Sequence, residues 1–509
     1  MTAVSTRSDA PPGELAGGAL GLPSVLFCIV TGAAPLAAML FNVPVATLGG
    51  GSASPAAFIV ATIALTIFSV GYIAMARRVT SAGGFYTFVS RGLGRVAGLG
   101  VGYLIALCYI VFCAAVLGVT GYFASTTVMS LTGLDLPAWL YMIVGLVLLS
   151  LFAWFHIEFT AKVLGVLLVG EVLVLVVMAV GIFAVGGAEG FSLEPLNPVA
   201  IFDNPAATQV FGGGAAGIAL FAAFWSWVGF EMAPNYAEET RDPHKIAKRA
   251  TYGSVIGLGI FYTIMSYAFV TGWGLTGSAQ AVKSQYAGDL ASAFYPLTDK
   301  YVGSWATLVM QILIVTSSFA CTMAFYNTGA RYLFALGREG VLPGRLAATS
   351  KRRSPANASM TVTVIVALYC LAFVIYDPST EAALLKLGTW SPLLGVLGIL
   401  AVQALVSIAI IRYFRTKARE DFHWWTTLAA PLIGFAAMVT ACVLLITNRD
   451  GLAGASDVLY IEALPWVVLV VFVLGMAAAM VLRSRAPDKY AGIGQFEIAE
   501  ITEPMGGQA

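Results

Sequence analysis

The fold class that this sequence predicts is an all-α protein crossing a membrane about twelve times, and three observations carry that prediction. The first is composition: of 509 residues, 59% are hydrophobic and 10% charged, against roughly 25% charged in soluble domains. At about 20 apolar residues per crossing, the apolar content suffices for twelve helices with material left for packing and loops. The second is segmentation. Apolar runs separated by Gly, Pro or charged clusters recur near residues 24–47, 55–76, 97–128, 137–155, 161–185, 212–236, 250–273, 304–336, 359–376, 387–412, 427–446 and 464–482. The third is the sorting of charge. With the N-terminus in the cytoplasm, all but four of the 27 basic residues fall in loops on one side, the exceptions being Lys283, Lys300, Lys386 and Arg449. The positive-inside rule then places both termini in the cytoplasm, which requires an even number of spans. A formal net charge of +1 carries no signal for nucleic acid.

In chain order, residues 1–22 form a polar, Pro/Gly-rich cytoplasmic tail without the charged start and short apolar core of a cleavable leader, so the first span is expected to persist. That span, 24–47, is interrupted by Thr31-Gly32-Ala33-Ala34-Pro35. Pro35 has no amide to donate, and its ring opposes the preceding turn. The third span carries Tyr103 and Tyr109, and the fifth carries Glu171 ten residues from its start, roughly 15 Å along a helix and near mid-bilayer. The sixth reads Phe224-Trp225-Ser226-Trp227-Val228-Gly229-Phe230-Glu231-Met232-Ala233-Pro234, and the eighth carries Thr316, Ser317 and Ser318. Spacing divides the chain into five-helix halves at 23–185 and 212–412, a final helix pair at 427–482, and a cytoplasmic tail at 483–509 whose small, polar and acidic composition predicts disorder. No residue-level repeat relates the halves; the symmetry is one of position.

A helix breaker in mid-membrane frees backbone groups that lipid cannot satisfy, so it is tolerated where it is buried in protein or lines a cavity. Interrupted segments at matching places in two halves point to a transporter's binding site near the midplane. Two kinked but otherwise ordinary helices are the plainer reading of the same residues. Against catalysis, no phosphate-cradling glycine loop, no metal-ligand cluster and no nucleophile–base constellation is visible, so neither metal nor cofactor is expected. His156, His244 and His423 lie at predicted membrane edges, and the six cysteines fall in apolar runs and read as packing residues.

These residues resemble the amino acid–polyamine–organocation transporters. The resemblance rests on Phe224 to Glu231 followed by Ala237-Glu238-Glu239-Thr240-Arg241-Asp242-Pro243, on Ser81-Ala82-Gly83-Gly84-Phe85-Tyr86, and on Asn327-Thr328-Gly329-Ala330-Arg331 through Gly340-Val341-Leu342-Pro343. It covers roughly residues 20–485. It implies the LeuT fold: a five-plus-five inverted repeat with helices one and six broken, two extra C-terminal helices, and a substrate held between spans one, three, six, eight and ten by alternating access. The family often has Gly-Ser-Gly in the first break, where this chain has Gly32-Ala33-Ala34-Pro35. A serine hydroxyl contact to substrate thus has no counterpart, and main-chain amides are left to make it.

An α-amino acid needs donors for its carboxylate and acceptors for its ammonium. The half-helix starting near Ala34 offers amides and a positive dipole end, and carbonyls freed at Thr31 and between Ser226 and Gly229 offer acceptors. The substrate-binding candidates are therefore Thr31, Gly32, Ala33, Ala34, Pro35, Ser226 and Gly229. Trp225 joins them because it resembles the family's substrate-contacting aromatic; Trp227 is expected to pack elsewhere. Tyr103 is included as a gate, with bundle packing as its alternative. Carboxyls in mid-span are costly, about 2.5–3.5 kcal/mol on insertion scales. Glu171 and Glu231 are accordingly candidates for carrying a coupling proton, with hydrogen-bonded structural carboxyls as the competing reading for each. Thr316, Ser317 and Ser318 are candidates for a sodium site, because the fold's sodium members place ligands there. The expected function is a permease of the cytoplasmic membrane, of a bacterial source by its excess of Arg over Lys (18 to 9) and its abundant Ala, Gly and Val, taking up amino acids with protons in preference to sodium. The expected partners are the small amino acid or amine, the proton and the bilayer. A polyamine transporter, an exchanger and an integral membrane enzyme are the alternatives.

Overall fold

The computed structural model describes residues 21–79, 83–152, 157–202, 215–232, 240, 243–285, 290–350 and 354–494. The outer parts of both tails lie outside the described residues. So do Ser81-Ala82, His156, Ala233-Pro234, Lys351-Arg352-Arg353 and all of the 237–242 loop except Thr240.

Every apolar run has a helix over it, and no β-strand occurs among the described residues. The chain runs through α1 (Leu22–Ala33), α2 (Pro35–Gly50), α3 (Ser54–Ala76), α4 (Gly84–Gly92), α5 (Arg95–Thr132), α6 (Ala138–Phe152), α7 (Ile157–Val185) and α8 (Ala215–Ser226). It continues through α9 (Pro243–Trp273), α10 (Ser278–Gln285), α11 (Tyr295–Tyr301), α12 (Ser304–Arg338), α13 (Ala356–Tyr376), α14 (Gly388–Thr416), α15 (Ala430–Thr447), α16 (Leu459–Arg485) and α17 (Pro487–Gly492). Among the described residues, nine helical stretches are long and apolar enough to cross a membrane. The first of these, Leu22–Ala76, comprises 55 residues, roughly 80 Å at 1.5 Å per residue and more than twice the hydrocarbon thickness. It is divided at Ala34 and again by the tight turn Gly51–Ala53. Ala138–Phe152 and Ala216–Met232 are apolar but shorter.

The radial order of the helices follows from their side chains. Large aliphatic residues point outward on α6 (Ile143, Val147, Leu151), α7 (Val169, Leu173, Val180), α13 (Val364, Leu368, Ile375) and α16 (Leu469, Val473). Such a belt is costly against water and costs nothing against lipid. This is a multi-pass membrane protein. By contrast, α5 is buried on nearly every face and forms the axis of the bundle. Small residues let its neighbours approach: a Cβ at Gly100 would lie 2.8 Å from Phe472 of α16, and one at Gly475 would lie 2.6 Å from the Leu99 carbonyl. Close helix contact through small residues substitutes for the hydrophobic drive that lipid removes.

Candidate functional site

The break in the first span is a single left-handed residue. Ala34 has φ 42° and ψ 73°, a conformation costing a non-glycine residue about 1–2 kcal/mol, and α2 restarts at Pro35, whose fixed φ suits a first helical position. The surroundings hold this conformation in place. The Ala34 amide donates to the carbonyls of Val30 at 2.9 Å and Thr31 at 3.2 Å. The carbonyls that α1 leaves unmatched are met from two other helices: the Cys321 thiol donates to Gly32 O at 3.0 Å and the Tyr262 hydroxyl to Ala33 O at 3.1 Å. The Thr31 hydroxyl is buried and bonds nothing.

The second break follows Ser226, where the backbone tightens into three-residue turns: the amides of Val228, Phe230 and Met232 donate to Trp225, Trp227 and Gly229 at 3.0, 3.0 and 3.1 Å. Gly229 has φ 117°, which favours glycine, and a Cβ there would lie 3.4 Å from the Gly32 carbonyl carbon. The two breaks thus touch backbone to backbone. Glu231 turns back on its own segment, accepting from the Gly229 amide at 3.0 Å and from the Tyr109 hydroxyl at 2.6 Å, while Tyr72 donates to its main-chain oxygen at 2.8 Å. Trp227 is fully buried against Tyr262 and donates to the Val255 carbonyl at 3.2 Å.

Beside the junction lies a cavity of about 50 Å³. That is space for about four waters. Gly32, Ala33 and Ala34 form one wall, and Phe41 and Asn42 of α2 another. Ala37 and Ala38 of α2, Val116 and Val119 of α5, Trp225, Ser226 and Val228, and Cys321 and Phe325 of α12 complete it. Phe41 and Trp225 meet edge to face with centroids 5.2 Å apart. Spans one, three, six and eight therefore surround the cavity, as the resemblance implies, whereas α14 of span ten contributes no lining residue. Tyr103 is not brought to it. It lies thirteen residues before Val116 on the same helix, roughly 20 Å along the axis. Thr31, Pro35 and Gly229 frame the breaks but do not line the cavity.

The amides of the restarted half-helix are committed elsewhere, which corrects the expectation that they face a substrate carboxylate. Pro35 has none; the Leu36 amide bonds the Glu171 carboxyl, and the Ala37 amide donates to the Ser317 hydroxyl at 3.3 Å. Ser317 in turn donates to Glu171 at 2.7 Å. The positive end of α2 thus points at a protein carboxyl on α7, bridged by α12. Thr316 and Ser318 do not join this cluster. Their hydroxyls donate to carbonyls of their own helix, Leu313 at 3.0 Å and Ile314 at 2.9 Å, so the three hydroxyls expected at a sodium site are not gathered into one oxygen cage. No group of metal-ligating side chains occurs among the described residues.

Three residues at the site escape the sequence reading. Cys321, read as packing, lines the cavity and holds the break. Tyr262 carried no signal beyond its apolar helix. Asn42 was detectable in principle, as an isolated amide inside an apolar run. It is 4% exposed, and its Nδ2 donates to the Ser226 hydroxyl at 2.8 Å.

A family model described as amino acid permease matches residues 20–474. The branched-chain amino acid permease BcaP of Bacillus subtilis is 23% identical over 456 residues, 86% of each chain. The gamma-aminobutyric acid permease of Escherichia coli is 25% identical over 451 residues, 85% of this chain and 89% of that one. The low-affinity putrescine importer PlaP of Escherichia coli is 24% identical over 381 residues, 72% of this chain and 75% of that one. With the family model spanning nearly the whole bundle and both helix breaks, this chain belongs to the amino acid permease family.

Proposed function

We propose that this permease is a proton-coupled symporter that takes up amino acids across a bacterial cell membrane by alternating access, with the substrate in the cavity between the two breaks. The observation that carries the reading is the junction of Glu171 with Ser317 and the Leu36 amide. It ties α7 to α12 and to the half-helix bordering the cavity, three elements that must part when the site changes sides. An ionised Glu171 is attracted by the positive end of α2. A protonated one loses that attraction, so proton binding loosens the contact on which the closed arrangement depends. Glu231, bonded within its own segment and to Tyr109, serves as a brace rather than a carrier. The proposed layout is twelve spans, with five-helix repeats at 23–185 and 212–412, helices eleven and twelve at 427–482, and both termini in the cytoplasm. The doubled length of Leu22–Ala76, the two shorter apolar helices and the one-sided basic loops support it. The family relatives indicate a transporter rather than an enzyme.

The test is reconstitution in liposomes with labelled amino acids and amines under separately imposed proton and sodium gradients. Accumulation driven by the proton gradient alone is expected. In Glu171→Gln, downhill uptake persists while the pH gradient no longer drives accumulation; retention of full pH-gradient drive would overturn the coupling role. Uptake that requires substrate already inside would make the protein an exchanger.

A further inference from the structure

Asn42 occupies an unusual position in the cavity wall. Its Nδ2 donates to Ser226 Oγ at 2.8 Å, and the Ser226 hydroxyl hydrogen is itself spent on the Ala222 carbonyl at 2.8 Å. This chain sets the orientation of the amide and leaves Oδ1 as a buried acceptor with no hydrogen-bond partner. A buried acceptor left unpaired is costly, and a bound donor removes that cost. The ligand group must be a donor. Apart from Ser226 and the Cys321 thiol, the other lining side chains are aliphatic or aromatic, and none of the lining residues carries a charged side chain. Glu171 and Glu231 are bonded outside the cavity. A substrate with a second charge, such as a diamine, would bury that charge without a counter-ion.

We propose that Asn42 Oδ1 accepts a hydrogen bond from the substrate's ammonium group, and that the substrate is an amino acid with a small, uncharged side chain. This rests on the cavity being the substrate site proposed above. An ammonium has three donors to place, and the amide oxygen, oriented by Ser226, supplies one acceptor in a wall without charged side chains.

The experiment uses the full chain in liposomes, with labelled alanine and putrescine as probes and folding checked by gel filtration. Wild type is expected to take up alanine and to leave putrescine largely outside. Asn42→Leu keeps the branching at Cγ and removes the acceptor, and should raise KM for alanine at least tenfold. Asn42→Asp restores an oxygen acceptor and adds a negative charge; it should recover alanine uptake and admit putrescine, a gain that a misfolded protein cannot show. An unchanged KM in Asn42→Leu, no recovery in Asn42→Asp, or wild-type uptake of putrescine equal to alanine would each overturn the proposal. Ala38→Phe, which fills the cavity, separates the two readings. If it blocks uptake while Asn42→Leu does not, only the Asn42 assignment fails. If it leaves uptake intact, the cavity is not the substrate site and both readings fail.

Discussion

The two buried carboxyls, Glu171 and Glu231, are 2% and 3% exposed, yet they are held in opposite ways. Glu231 accepts from the amide two residues before it and from Tyr109 of the central α5, while Tyr109 stacks on Tyr332 with centroids 5.6 Å apart. Its bonds close a local turn onto the axis of the bundle. Among the described residues, the partners of the Glu171 carboxyl come from other elements, Ser317 of α12 and the first free amide of α2. A carboxyl bonded locally stabilises a shape, and one bonded across three elements makes their separation depend on its charge. Burial alone does not separate the two carboxyls; the origin of their hydrogen bonds does.

The strongest test of that contrast is Glu231→Ala. It strands a buried amide and a buried hydroxyl at about 1–3 kcal/mol each, and a large drop in the thermal midpoint, or no monodisperse protein, is expected. Glu171→Ala strands donors too, but at the junction proposed above to part, so its midpoint should fall less; equal losses would collapse the distinction. Gly229→Ala puts a Cβ on a φ of 117° and 3.4 Å from Gly32, at about 1–3 kcal/mol. The expected outcome is a lower midpoint together with impaired uptake, because a side chain at this φ strains the second break where it meets the first. Cys321→Ala removes one donor to the first break and should cost about 1 kcal/mol in thermal stability, with a change in KM because the residue lines the cavity.

The smallest effect is expected outside the membrane. Asp377 is held down to about 2 by its hydrogen bond to Lys386, 2.6 Å away, and then by Ser379. Its folded value lies below the unfolded one of roughly 3.9. The stabilisation is therefore complete above pH 4 and lost as pH falls through about 2. For a pair this accessible it amounts to at most about 1 kcal/mol. Asp377→Asn should lower the midpoint slightly at neutral pH and match wild type near pH 2.

Much of the site was legible because its signals are local. Thr31 to Pro35 and Ser226 to Gly229 announce breaks by composition, and Glu171 and Glu231 stand out because a carboxyl in an apolar run is expensive. Asn42, Cys321 and Tyr262 were overlooked since an amide, a thiol and a phenol are unremarkable within a membrane helix until a partner is known. Tyr103 was placed at the site by residue type, and helix rise carries it some 20 Å away.

The sequence by itself determined that this is a helical membrane protein, where its helices lie, where two of them break and which carboxyls are buried, because periodicity, apolar length and the cost of breakers act over a few neighbouring residues. Only the tertiary structure decided what each freed group bonds. Ala37 meets Ser317 across 280 positions of chain, Ser317 meets Glu171 across 146, and Asn42 meets Ser226 across 184. Hydrogen bonds are short and directional, so the partner of a freed amide depends on which helix the fold brings within 3 Å of it, and that is encoded in the packing of the whole bundle.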